Sequence, residues 1–436
     1  VLRSLVFAGA LALGASAALA QEVEEEAYGA KFQATYVWQR KYPFGAAYTG
    51  TNSLSPDREK SYSFTATAAL GARAWRGGEV YVDPEVAQGV PLSHLTGLGG
   101  FSNGEIARTS GPTASFYVAR AFLRQTWGLG GEREKVESDA NQLAGSAERR
   151  RWVLTAGKLS LQDLFDDNAY SKDPRTQFLN WSLMTYGAWD FAADARGYSW
   201  GLALEYFHDD WVLRAGRFLM PKQSNGLALN PRIFYSFGDQ IEFEHAHAIA
   251  GLPGKLRLLA FRNQADMGGF RDSIADAAAA GTTPDLATSR RKRDKYGFGV
   301  NLEQSLSRDV GVFARASWNN GEAETFAFTE IDRSLSAGFL VKGASWGRAA
   351  DSVGVALVRN GISGPHGDYL AAGGLGFFLG DGQLRYRSED IFEIFYSLGI
   401  VKDVWISADF QRIFDPAYNA DRGPVSVASA RFHYGF

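Results

Sequence analysis

The sequence predicts an all-β fold, a transmembrane antiparallel β-barrel of about 16 strands with short turns on one rim and long loops on the other. Three observations carry this. Apolar residues recur at every second position along almost the whole chain, and the connections between these stretches alternate between tight and long. The third is the ending "SVASARFHYGF", which stops on Phe436 with no polar tail behind it. Ala428, Ala430, Phe432, Tyr434 and Phe436 fall on one face of that segment, so it reads as a closing strand with lipid on its apolar side.

Taken in order, the strands repeat one pattern. In "AKFQATYVW", Phe32, Ala34, Tyr36 and Trp38 share a face against Gln33 and Thr35. In "SFYVARAFLRQTW", Ala119, Ala121 and Leu123 oppose Arg120, Phe122, Arg124 and Thr126. In "KYGFGVNLEQ", Tyr296, Phe298, Val300 and Leu302 oppose Gly297, Gly299, Asn301 and Glu303. In "DVGVFARASWNN", Val310, Val312, Ala314, Ala316 and Trp318 oppose Gly311, Phe313, Arg315 and Ser317. "FEIFYSLGI" and "DVWISADFQ" continue it, with Val404, Ile406, Ala408 and Phe410 against Ser407, Asp409 and Gln411. A soluble sandwich also alternates, but its outer faces carry scattered Lys and Glu. Here they mix Gly, Ser, Asn, Arg and Glu, which suits a water-filled lumen.

Candidate strands start near residues 31, 61, 77, 115, 151, 197, 210, 238, 254, 294, 309, 333, 351, 390, 403 and 424. Tight links fall at 75–78, 208–210, 251–255, 307–309, 347–351 and 401–403; long ones fall at 39–60, 84–114, 160–196, 220–237, 264–293, 319–332, 360–389 and 413–423. The charged stretch 128–150 breaks the rule, standing where a tight turn belongs. "YLAAGGLGFFLGDG" (369–382) reads as loop, because one more strand would spoil the even count. A barrel of this size holds an aqueous channel rather than a packed core.

The first 20 residues read as a cleaved secretory signal: Arg3, an apolar run from Leu5, and Ala18-Leu19-Ala20 before Gln21. Residues 21–436 then form one barrel domain. With no cysteine, disulfides, thiolate metal sites and cysteine nucleophiles are excluded. The 49 Gly, 30 Phe, 18 Tyr and 11 Trp, with 21% charged residues, suit an outer-membrane barrel, and equally a secreted β-sandwich or sugar-binding domain. The net charge of −3 gives no general attraction to nucleic acid.

Several long segments carry a likeness to a known family. They are "GGEVYVDPEVAQGVPLSHLTGLGGFSNGE", "FYVARAFLRQTWGLGGE", "GKLSLQDLFDDNAYSKDPRTQFLNWSLMTYGAWDFAADARGYSWG", "KYGFGVNLEQ" and "FDPAYNADRGPVSV". Together, in one uninterrupted order from about Tyr28 to Phe436, they resemble the carbohydrate-selective porins of the OprB type. The resemblance implies a sixteen-stranded outer-membrane channel of a Gram-negative bacterium, passing mono- and small oligosaccharides of the glucose type by passive diffusion, with loops folded into the pore. It implies no enzyme activity and no cofactor, and a terminal aromatic that serves recognition by the barrel-assembly machinery. The charged 132–151 stretch and the basic run 290–295 depart from the family pattern.

A sugar pore needs paired donors and acceptors for hydroxyls, and apolar rings for the sugar face. Binding must stay weak enough to release. The loop 160–196 concentrates such groups: Asp166, Asp167, Asp173 and Arg175, then Trp189, Asp190, Asp194 and Arg196. The alternative for it is an external loop held by salt bridges, with Asp173-Pro174 setting a turn. Lumen-facing strand positions add Arg120, Arg124, Lys158, Glu205, Glu242, Glu244 and Arg315; the plain alternative is wall-spanning ion pairs. The predicted constriction therefore comprises Arg120, Arg124, Lys158, Asp173, Arg175, Trp189, Asp190, Arg196, Glu242 and Arg315. "GLGGFSNGE", with Asn103 and Glu105, is a second candidate inward loop.

"SRRKRDK" (289–295) sits where an external loop re-enters a strand, facing lipopolysaccharide phosphates rather than nucleic acid. His245 and His247 share a strand face, but no third ligand for a metal stands nearby, and no histidine belongs to a nucleophile motif. Other readings stay open: a general or anion-leaning porin, an outer-membrane hydrolase with a Ser-His-acid cluster, or a secreted soluble β-protein. A monomer and a homotrimer are both compatible with the sequence.

Overall fold

The computed structural model describes residues 25–106 and 111–436. The expected signal segment, 1–20, lies outside them. The chain runs through β1 (Tyr28–Lys41), β2 (Glu59–Trp75), β3 (Gly78–Val90), β4 (Ser115–Val136), β5 (Gly145–Leu159), β6 (Ser199–His208), β7 (Trp211–Leu219) and β8 (Phe237–Ile249). It continues through β9 (Leu252–Met267), β10 (Arg291–Ser305), β11 (Val310–Asn319), β12 (Arg333–Lys342), β13 (Ser352–Gly361), β14 (Glu389–Val401), β15 (Val404–Phe414) and β16 (Val425–Gly435). Each strand pairs antiparallel with its sequence neighbours, and β1 closes on β16 to make a barrel of sixteen. The closing ladder runs from Gln33 opposite Gly435 to Lys41 opposite Val427. It continues one residue further, where Phe32 and Phe436 exchange backbone hydrogen bonds of 3.1 and 3.0 Å.

The alternation has the predicted sense. Leu202, Ile241, Leu335, Leu357 and Ile406 point outward and are exposed. So continuous an apolar wall belongs in lipid, because water would drive it to aggregate. The short links join one rim, where β1 begins and β16 ends, and the long loops join the other.

Four expectations need correction. The loop expected from 84 begins only after Val90, because β3 continues through Pro84. An interior strand tolerates proline only at an irregularity. The ladder to β4 slips there, between Asp83 and Pro84, so Ala119 becomes the extra residue. Ala119 is fully buried instead of facing lipid, while Phe116 and Val118 take the outward positions before it. The 128–150 stretch is an extension of β4 and β5 rather than a loop. The basic run is mostly strand: Arg291 to Lys295 begin β10. Arg291 and Arg293 both bind Asp272, Arg290 forks onto Glu324, and Lys295 is buried 3.5 Å from Asp190.

The lumen is not wholly wet, which is the fourth correction. Long loops fold into it and form two apolar clusters with inward-facing strand residues. The helices α1 (Trp181–Met184), α2 (Phe270–Ala280) and α3 (Gly364–Ala371) all belong to these loops. Phe178 enters between Phe313 and Phe395, its ring edge-on to Phe395 at 5.0 Å. Lumen-facing glycines receive such rings. A Cβ on Gly354 would stand 2.8 Å from Phe178, and one on Gly299 2.6 Å from Tyr186. Gly299, Gly311 and Gly354 are sockets for loop aromatics rather than water-facing positions.

Candidate functional site

Residues 160–198 leave β5 at the long-loop rim, descend into the barrel and return to β6. Besides the segment's apolar contacts, charged strand residues pin it from the wall. Arg315 donates to Asp166 at 3.0 Å and to the Leu183 carbonyl at 3.1 Å. Glu242 accepts from the Asp166 backbone at 2.8 Å, Glu303 from Ala169 at 2.8 Å and Glu393 from Asn180 at 3.0 Å. Arg431 donates to the Pro174 and Gln177 carbonyls at 2.6 and 2.7 Å. These bonds satisfy loop backbone that would otherwise be buried without partners.

Between this loop, the 91–106 segment and the wall of β1 to β4 lies a cavity of about 730 Å³. Two of its lining arginines are each paired with acids. Arg120 forks onto Asp163 with two bonds of 2.7 Å and lies 3.4 Å from Asp83. Arg175 donates to Glu105 at 2.6 Å and stands 3.7 Å from Glu85. Arg196 stacks over the Tyr117 ring at 4.2 Å, near Asp194 and Tyr198. Trp181, Phe191, Phe328 and Tyr198 add aromatic surface. The Tyr117 hydroxyl donates to Glu85, as does that of Tyr198 at 3.2 Å.

The loop carboxyls respond to this setting. Burial pushes Glu105 above the ordinary carboxylate range, with Arg175 opposing the shift. Burial would also raise Asp163, but the Arg120 fork more than offsets it and holds the group low. Asp194 is pushed up by burial, against the pull of backbone donors at Arg196 and Tyr198. Each arginine fork presents rigid paired donors beside a carboxylate acceptor, the arrangement that adjacent hydroxyls can share.

The predicted site residues divide by location. Arg120, Asp173, Arg175 and Arg196 line the cavity. Arg124 faces the lumen lower down, donating to the Asn141 carbonyl at 2.9 Å and lying over Tyr81. Five do not line it and require correction. Trp189 is 1% exposed in a cluster with Phe165, Tyr186 and Phe191. Asp190 accepts from the Phe326 and Ala327 amides at 2.9 and 2.8 Å, tying one loop to another. Glu242 and Arg315 are buried anchors of the 160–198 loop. Lys158 pairs with Ala121 and Trp200, on the outward parity; its ammonium turns back to the Val118 carbonyl at 2.7 Å.

Sequence reasoning missed Asp83, Glu85, Tyr117 and Tyr198. Asp83 and Glu85 flank Pro84, which read as a strand end; two acids at the spacing of one strand face were the available signal. Glu105, singled out with Asn103, does reach the cavity. Among the described residues, no cluster of three or more metal-ligating side chains occurs.

Comparison with known proteins bears on this arrangement. A family model described as "Carbohydrate-selective porin, OprB family" matches residues 52–436. A high-pH structure of Pseudomonas putida OprB aligns with a TM-score of 0.73 at 15% identity, covering 94% of each chain. The outer membrane channel DcaP of Acinetobacter baumannii aligns with a TM-score of 0.52 at 10% identity, covering 94% of this chain and 97% of that one. At such identities the likeness is one of fold. A search of curated proteins finds no match.

Proposed function

This chain belongs to the OprB family of carbohydrate-selective porins, and from that membership we propose that its channel passes small neutral sugars by passive diffusion across the outer membrane of a Gram-negative bacterium. It is an outer-membrane porin, a channel rather than an enzyme. The observation that carries the sugar reading is the charge balance of the cavity. Arg120 and Arg175 are each paired with two carboxylates, and aromatic rings stand beside the pairs.

A filter for anions would leave its arginines unpaired, so that an incoming anion supplied the missing charge. Here acids already do so for Arg120 and Arg175. A neutral polyol can insert between fork and carboxylate, donating to one and accepting from the other, while its ring lies on Tyr198 or Trp181. The salt bridges re-form behind it, so no charge stays bare as the solute moves on. Weak, exchangeable contacts of this kind permit conduction.

Swelling of liposomes carrying the purified protein tests the reading, with glucose compared against gluconate of nearly equal size. Faster entry of glucose supports it. Equal entry would make the channel a general porin, and faster gluconate entry an anion-leaning one.

A further inference from the structure

The charged stretch that extends β4 and β5 bends back beneath the barrel at the short-turn rim. The two strands stay paired out to Val136 and Gly145, but their ladder slips between Gly128 and Gly130 and again before Arg133. Gly130 and Gly131 take φ values of 95° and 91°, a region that favours glycine, so the hairpin turns sharply at that point. Its tip, residues 137–144, then lies under the lumen instead of projecting away.

The tip is latched. Gly29 and Gly71 are direct partners across β1 and β2, and together leave a notch on the lumen face. Leu143, 4% exposed, fills it: a Cβ on Gly29 would stand 2.9 Å from the leucine side chain. Arg73 donates to the Ala144 carbonyl at 2.7 Å, and the Ala144 amide to Glu26 at 2.7 Å. Asn141 donates to Asp83 at 2.9 Å. That carboxylate also faces Arg120, so the tip is joined to the charged wall of the cavity. Asp139, Ala140 and Asn141 border the same cavity as Arg120 and Arg175.

We propose that residues 137–144 form a second constriction at the periplasmic mouth, which limits the size of solute that leaves the channel. A polyol released from the Arg120 pair meets Asn141 next, and must pass the tip to exit. The inference rests on the channel and not on its preference for sugar, so neutral polyethylene glycols of graded size serve as probes.

The chain has no cysteine, so Ala140→Cys gives a single thiol on an exposed tip residue. Labelling it from the periplasmic side with a bulky methanethiosulfonate should lower single-channel conductance stepwise, by roughly a third or more. Replacing 137–144 by Asn-Gly, a two-residue turn suited to the Val136–Gly145 pair, should raise the polyethylene glycol cutoff from the periplasmic side alone. If the replacement fails to fold, Gly29→Val, which evicts Leu143, should raise the same cutoff. Complete labelling with unchanged conductance would overturn the proposal, as would a cutoff that rises equally from both sides. Loss of sugar preference with an intact periplasmic cutoff would overturn only the sugar reading.

Discussion

Arg175 donates to Glu105 at 2.6 Å, and the bond joins two loops that enter the barrel from different strands. One loop follows β5 and the other follows β3, so neither strand pairing nor chain connectivity holds them together there. Glu105 is buried, and its charge is tolerable because the guanidinium faces it. Arg175→Gln should therefore remove a positive charge, leave an acidic excess at the cavity, and shift the reversal potential in a salt gradient toward cations. An unchanged reversal potential would mean that this pair lies off the ion path. Glu105→Gln keeps the shape and should shift the potential the opposite way.

Phe178 should act as the plug that holds the 160–198 loop against the wall. Its ring lies against Phe313 and Phe395, and its site is apolar and closed. Phe178→Ala should weaken loop docking by about 3 kcal/mol, giving a larger and noisier open-channel current. Gly354→Val drives a side chain into the same ring and should produce the same phenotype. A quiet current of normal size in both variants would count against the plug.

His366 gives the extracellular loops a pH dependence. Burial alone would lower its pKa, but Asp332 at 2.9 Å and Glu330 at 3.7 Å outweigh that and push it up to about 9. Burial would raise Asp332, yet His366 and Lys295 hold it at about 2. The histidine is raised above its unfolded value of 6.5, so its contribution is fully present below that pH and is lost as pH rises through about 9. The amount is on the order of 3 kcal/mol. Current noise should therefore grow between pH 7 and 10, and His366→Gln should be noisy throughout. A noise level independent of pH in the native protein would contradict this.

Much of the fold was legible because a barrel wall obeys a local rule. Lipid on one side and loops or water on the other force period-2 alternation, and chain reversal at the two rims fixes where turns fall. The rule fails where the ladder is irregular: Pro84 ended the predicted strand early because the bulge at Ala119 depends on the neighbouring strand. Loop placement was less legible, since a polar loop in solvent and one pinned inside a barrel share a composition. The signal that discriminates them was present in the inward parity of Phe122, Phe313 and Phe395, three aromatics on the lumen face. A water-filled lumen has no use for them, whereas a docked loop does. Within the 160–198 loop, charge alone does not tell a lining residue from an anchor. Asp173 and Asp190 are both aspartates; one borders the cavity and the other caps two buried amides.

The central claim, that the paired arginines and carboxylates form a sugar-binding constriction, is tested most directly by single-channel conductance in a planar bilayer titrated with glucose and maltose. The account predicts saturable, sugar-dependent block at modest ion conductance, weakened at least several-fold by Arg120→Gln or Arg175→Gln. A large ohmic conductance that neither sugar alters would contradict it.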